Sequence, residues 1–248
     1  MIIELGHFAL ILGFVMAILQ CALPLVGAQK GWRGFMAAGE PAAQAQFLFL
    51  LFAFGAITWG FVSSDFSLRL VTMNSHTAKP LLYKITGVWG NHEGSMLLWC
   101  LILAFYAALA AWFGGNLSET LRARVIGVQG LISLAFLGFL IFTSNPFWRL
   151  EMPPMNGEDL NPLLQDPGLA SIPRSSTSAM GLSMAFSFAV AALIEGRVDA
   201  AWGLEARYEA ACAGLSALRE VVDQQLTGLD ALLSGAREVA FFPPMTGG

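Results

Sequence analysis

Five stretches of this chain carry no aspartate, glutamate, lysine or arginine: residues 5–29, 41–64, 94–118, 125–148 and 175–194. Nothing else in the sequence restricts the fold as tightly. A helix needs about 20 apolar residues to cross a hydrocarbon core about 30 Å thick. Lipid also admits only structures that satisfy every backbone N–H and C=O internally. The first four stretches meet that length. The apolar part of the fifth begins only near Ala179, so it spans by thinning the bilayer or by snorkelling of its polar flanks. The spans are expected near 5–27, 42–63, 95–113, 125–144 and 179–194. The fold class that follows is all-α: a polytopic membrane helix bundle with about five transmembrane helices, plus a C-terminal amphipathic helix.

Composition agrees. Of 248 residues, 56% are hydrophobic and 12% charged, against about 25% charged in soluble domains. A net charge of -4 with no basic stripe leaves no footprint for nucleic acid. Cys21, Cys100 and Cys212 form no CxxC, so no disulfide framework, thiol redox pair or zinc site is expected, and no metal site of any kind. The start lacks a basic region and a small-residue cleavage site, so no removed signal peptide is expected.

The loops set an expected orientation. Lys30 and Arg33 lie in the short loop 30–40, and Arg122 and Arg124 in the short loop 119–124. Basic residues concentrate in cytoplasmic loops. The longer connections 65–93 and 149–174 then lie outside, with the N-terminus outside and the C-terminus cytoplasmic. The second long connection, with FTSNPFWRL before it and EMPPMNGEDLNPLLQDPG within it, is punctuated by Pro, Asn and Gly and reads as irregular. SIPRSSTSAM, residues 171–180, is a polar lead into the fifth span.

Two regions divide by composition: a membrane domain over 1–202, and a charged, Ala-rich segment over 203–248. In the second, Leu204, Tyr208, Ala211, Leu215, Leu218, Val222, Leu226, Leu229, Leu233 and Ala236 recur at spacings of three and four, slipping once between Val222 and Leu226. That stripe predicts an amphipathic helix for a partner helix or for self-association. Its mixed-to-acidic polar face disfavours an anionic lipid surface.

WGNHEGSMLLW, residues 89–99, concentrates polar side chains at the mouth of the third span. Asn91 suits an N-cap, Glu93 suits the positive end of the helix dipole, and Trp89 and Trp99 suit interfacial anchors. A helix extended back to Trp89 would instead put Trp89, His92, Glu93 and Met96 on one face. A His beside a carboxylate at the rim of a bundle can bind a ligand or hold one tautomer. His7 reads as a capped or water-facing histidine, and His76 as a solvated one. The first four spans carry no mid-span charge, which ion and proton pumps need. Walker, GxSxG and HExxH motifs are missing.

Taken in order, ELGHFAL, WGNHEGSMLLW, FTSNPF, DLNPLLQDPG and FSFAVAALIEGRVDAAW closely resemble the N-terminal part of the CcmF/NrfE family of cytochrome c-type biogenesis proteins, across residues 1–202. The resemblance implies an inner (plasma) membrane protein of system I cytochrome c maturation. It implies CcmH-type and CcmI-type subunits, the haem chaperone CcmE and apocytochrome c as partners. Haem is the implied cofactor, and the implied reaction joins haem vinyl groups to the two thiols of a CxxCH site on the outer side. Trp89, His92 and Glu93 become candidates for handling haem or apocytochrome. Asn145, Pro146, Asn161, Pro162, Gln165 and Asp166 become outer-loop motif residues.

Two departures qualify the match. The family's FHPP stretch and its outer-face His are replaced here by SIPRSSTSAM, and no tryptophan-rich WWD haem platform is present. Residues 171–180 and the text after Trp202 are expected to reflect altered translation of a longer gene. The chain is expected to act in cytochrome c maturation as a haem lyase membrane component, incomplete for activity. A non-enzymatic membrane scaffold is the alternative. A small solute transporter is weaker, because the spans lack repeat symmetry and buried polar groups. His92→Ala is expected to impair assembly or stability more than haem contact.

Overall fold

The computed structural model describes residues 1–158, 169 and 172–196, with Arg174 by backbone alone, and the backbones of 219–222, 225–227 and 239–242. The chain divides into two compact units, Met1–Ala191 and Ala192–Gly248.

Four long helices build the first unit: α1 (Ile2–Lys30), α2 (Arg33–Ser63), α5 (His92–Phe113) and α6 (Glu119–Thr143). Two short helices, α3 (Arg69–Asn74) and α4 (Leu81–Thr86), lie between α2 and α5, and α7 (Ile172–Glu195) comes last. Among the described residues, five helices are long and apolar enough to cross a membrane, in line with the charge-free stretches.

Gly31 ends α1 with φ 70°, and its N–H bonds Gly27 O. This left-handed turn is open to glycine at no steric penalty. It reverses the chain within two residues, so α1 and α2 run antiparallel. Their backbones approach closely. A Cβ on Gly6 would sit 2.4 Å from that of Ala56, and one on Gly39 would sit 3.0 Å from the Pro24 ring. Small residues at helix contacts replace the hydrophobic drive that lipid removes. The core between α1, α2, α5 and α6 holds Leu10, Leu50, Phe61, Leu97 and Leu137. Phe8, Ile18, Leu51, Phe52 and Phe142 face outward, as a lipid-facing surface demands.

The polar lead into the fifth span is helical. α7 starts at Ile172, so much of SIPRSSTSAM forms its opening turns, with Pro173 where a missing N–H matters least. At 24 residues, α7 is about 36 Å long at the usual rise. That length is enough to cross a hydrocarbon core about 30 Å thick.

The spans also contain buried polar groups, contrary to the sequence expectation. Gln20, Gln46, Gln129, Ser133 and Ser187 have no exposed surface. Gln129 Nε2 donates to Leu103 O at 3.3 Å and Ser183 Oγ at 3.0 Å, and Ser187 Oγ donates to Gln129 Oε1 at 2.8 Å. These bonds tie α5, α6 and α7 together. The residues are neutral, so counting charges along the spans overlooks them.

In the second unit, the amphipathic helix expected through 204–240 is interrupted. Arg219–Val222 (β1) pairs antiparallel with Gln225–Thr227 (β2) and with Val239–Phe242 (β3), in the order β2-β1-β3. The slip in the apolar repeat between Val222 and Leu226 falls where β1 gives way to β2. Val221, Val222, Val239, Phe241 and Phe242 are β-branched or aromatic residues that favour extended backbone.

Candidate functional site

The site is built where α5 begins. Asn91 takes an extended conformation (φ -136°, ψ 169°), and its Oδ1 accepts from Gly94 N at 2.7 Å. Its Nδ2 donates to Gly87 O at 2.8 Å and Val88 O at 3.1 Å. One side chain thus caps α5 and closes the turn before it. Ser95 Oγ adds a 2.6 Å bond to Trp89 O. The turn lies so close to the helix that a Cβ on Gly94 would stand 1.6 Å from Val88 O. Glycine is therefore the residue that fits the sixth place of WGNHEGS.

Because the helix starts at His92, Trp89 is not on its face. The Trp89 indole N–H donates to Leu169 O at 2.8 Å, and the ring stacks on Phe54 of α2 at 6.5 Å and 15°. Met96 is buried, whereas His92 is exposed. The His92 ring meets Phe139 of α6 edge-on at 6.2 Å. Glu93 is half-buried in the first turn, where its charge complements the helix dipole. The single face expected for Trp89, His92, Glu93 and Met96 is therefore split: the indole ties the turn to the loop, and the imidazole is presented outward. The His92 ring is exposed, with one edge contact to Phe139.

A second cluster joins ELGHFAL to FTSNPF. Asn145 Oδ1 accepts from Phe147 N at 2.9 Å, which fixes the amide, and Asn145 Nδ2 lies 3.1 Å from His7 Nε2. The amide must donate there, so His7 is neutral with its proton on Nδ1. The His7 ring stacks on buried Phe147 at 5.4 Å and 12°. Pro146 is buried beside it, and Arg149 pairs with Glu4. His7 is a half-buried clamp between α1 and the loop after α6, not a water-facing cap.

The two long connections also bond each other. Arg69 N donates to Trp148 O at 3.0 Å and Leu150 N to Ser67 O at 2.9 Å, forming a bridge at Leu68 and Arg149. Asn156 Nδ2 lies 2.8 Å from His76 Nε2, and Asn156 Oδ1 accepts from Thr77 N at 3.1 Å. His76 is thus held by the loop, not merely solvated. Sequence reasoning passes over Asn156. Its one local signal is the following Gly157, where a Cβ would stand 2.0 Å from Ser75 O. Asn161, Pro162, Gln165 and Asp166 lie outside the described residues.

Among the described residues, no group of three or more His, Cys, Asp or Glu converges as metal ligands. His7 and His76 each have a ring nitrogen committed to an asparagine. His92 is exposed and meets an aromatic edge, so its ring is presented at the surface.

Residues 89–227, more than half of the chain, match the family described as Cytochrome C assembly protein. The chain belongs to this family. The match opens at Trp89 and runs past Trp202 into the charged segment. Over 203 residues the chain is 68% identical to cytochrome c-type biogenesis protein ccl1 of Rhodobacter capsulatus, covering 82% of this chain and 31% of that protein. It is 53% identical over 204 residues to CcmF of Pseudomonas aeruginosa, again covering 82% and 31%. A solved structure described as Cytochrome c Heme Lyase CcmF superposes with a TM-score of 0.73 over 87% of this chain and 34% of that one. At 24% identity, this likeness shows a shared fold. The chain spans about a third of the length of these family members.

Proposed function

We propose that this chain supplies an outer-face platform for haem attachment during cytochrome c maturation. His92 is the group that contacts haem, and the loop layer behind it receives apocytochrome. The observation that carries the reading is the split of WGNHEGS: Asn91, Gly94 and Trp89 lock the turn, and His92 is left exposed beside Phe139. A locked backbone with one presented imidazole suits delivery of a flat aromatic substrate, because positioning is already supplied by the fold. Trp89 positions the turn, and Glu93 sets the local charge. CcmH-type and CcmI-type subunits, the chaperone CcmE and apocytochrome c are the partners that suit this place in maturation.

The platform faces outside, with the N-terminus outside and the C-terminus cytoplasmic. Lys30, Arg33, Arg122 and Arg124 at the opposite ends of the helices support that orientation. At that end Arg122 pairs with Glu40, and Arg33 with Glu119 at 3.5 Å.

Haem titration of the purified chain tests the proposal. The expected result is a Soret band that His92→Ala weakens at least about tenfold in affinity, or about 1.4 kcal/mol, with the helical circular dichroism unchanged. Equal affinity in the variant would remove His92 from the reading. A periplasm-active enzyme fused at residue 155 tests orientation, and an inactive fusion would reverse it.

A further inference from the structure

Away from the outer rim, buried polar atoms without a partner gather inside α1, α2 and α6. Gln20, Gln46 and Ser133 have no exposed surface. Gln20 Oε1, both amide atoms of Gln46 and Ser133 Oγ accept or donate no hydrogen bond. Among the described residues, these are the orphaned side-chain atoms of those three helices.

Helix register brings them to one level. Gly13 of α1 lies against Leu50 of α2, and Gly39 of α2 lies against both Pro24 of α1 and Ile126 of α6. Antiparallel pairing between those contacts sets Gln46 beside the turn that carries Ala17 and Gln20. On the third side, Gly130 of α6 packs on the backbone of Gln20 and Cys21, and Gly138 packs on Phe14. Ser133, between them, reaches the same level. Gln20 Nε2 already crosses the junction to Ile126 O at 3.1 Å. The layer therefore holds one amide or hydroxyl from each of three helices, with Ala17, Ala43 and Gly130 as small neighbours.

An unpartnered buried amide is strongly unfavourable, and the same bundle satisfies Gln129 by direct bonds. We propose that the junction of α1, α2 and α6 is a binding site for one or two internal water molecules, bridging Gln20, Gln46 and Ser133. Four polar atoms meet the number of partners a buried water takes. The mixture of donors and acceptors matches water. A cation such as sodium would face the Gln46 amide N–H group and no balancing carboxylate.

Radiolytic hydroxyl footprinting of the full chain in nanodiscs tests this. Radicals formed from internal water label nearby side chains that bulk radicals cannot reach. Leu50 and Leu137 are fully buried in this neighbourhood. The expected result is labelling of both in the native chain, falling at least about fivefold in the Gln20→Leu, Gln46→Leu, Ser133→Ala triple variant. No labelling in the native chain would overturn the proposal.

Thermal unfolding gives an independent arm. Gln46→Leu alone strands its water partners and lowers Tm by about 2–4 °C. The triple variant recovers part of that loss, because the whole layer becomes apolar together. A rise in Tm for Gln46→Leu alone, with no coupling to Ser133→Ala, would overturn the bridging water. Replacing sodium with choline leaves Tm unchanged, and a fall would assign the site to a cation instead.

Discussion

The outer rim and the interior of the bundle use the same amide group in opposite ways. At the rim, Asn91 makes three hydrogen bonds, Asn145 clamps His7 to Phe147, and Asn156 joins the two long connections. In the interior, Gln46 is fully buried and makes none. A rim amide is short and reaches backbone groups that turns leave unpaired. An interior glutamine can share an already bonded helix carbonyl, as Gln20 and Gln129 do, but its oxygen meets no free helix N–H and needs another side chain or a water. Rim polarity therefore specifies a backbone conformation, whereas interior polarity specifies which helices meet.

Substitutions at four positions would sharpen or break this contrast, each read by thermal or denaturant unfolding of the purified chain. Gly94→Ala has the largest effect. Its methyl would meet Val88 O at 1.6 Å, so the turn must open, destabilising by about 3 kcal/mol. A neutral result would mean the turn is not locked against α5. Asn91→Ala comes next, at about 1–2 kcal/mol, because Gly94 N loses its cap and two carbonyls lose a donor. Asn91→Asp restores the cap alone and recovers part of the loss. Trp89→Phe keeps an aromatic ring for Phe54 but gives up the bond to Leu169 O, at about 1 kcal/mol. His92→Ala is smallest, below about 0.5 kcal/mol, because its ring is exposed with one edge contact. A loss as large as that of Asn91→Ala would make His92 part of the locked turn and undo its role as the presented group.

Much of the bundle is legible in the sequence. Spans follow from runs without charge, since a charge in hydrocarbon is expensive wherever it falls along a helix. The Asn91 cap is also legible, because capping is set by side chains within three residues of one another. Composition marks SIPRSSTSAM only as a polar lead, whereas Pro173 and small hydroxyl residues already lie in the helix that carries the fifth apolar stretch. Within the segment of the expected C-terminal helix, 219–222 and 225–227 are extended, in keeping with the β-branched and aromatic residues near 221 and 241.

What the sequence by itself determined is local or one-dimensional: the membrane class, the helices long enough to span, the capped start of α5 and the family motifs. The tertiary structure decided what depends on contact between distant residues. It sent Trp89 to Leu169 and Phe54, set His92 against Phe139, closed His7 onto Asn145 and carried the Gln20 amide across to Ile126 O. Spacing along one helix fixes a face, but the partner of that face is chosen by the register between helices. That register is set by close glycine contacts between α1, α2 and α6, which join positions far apart in the chain.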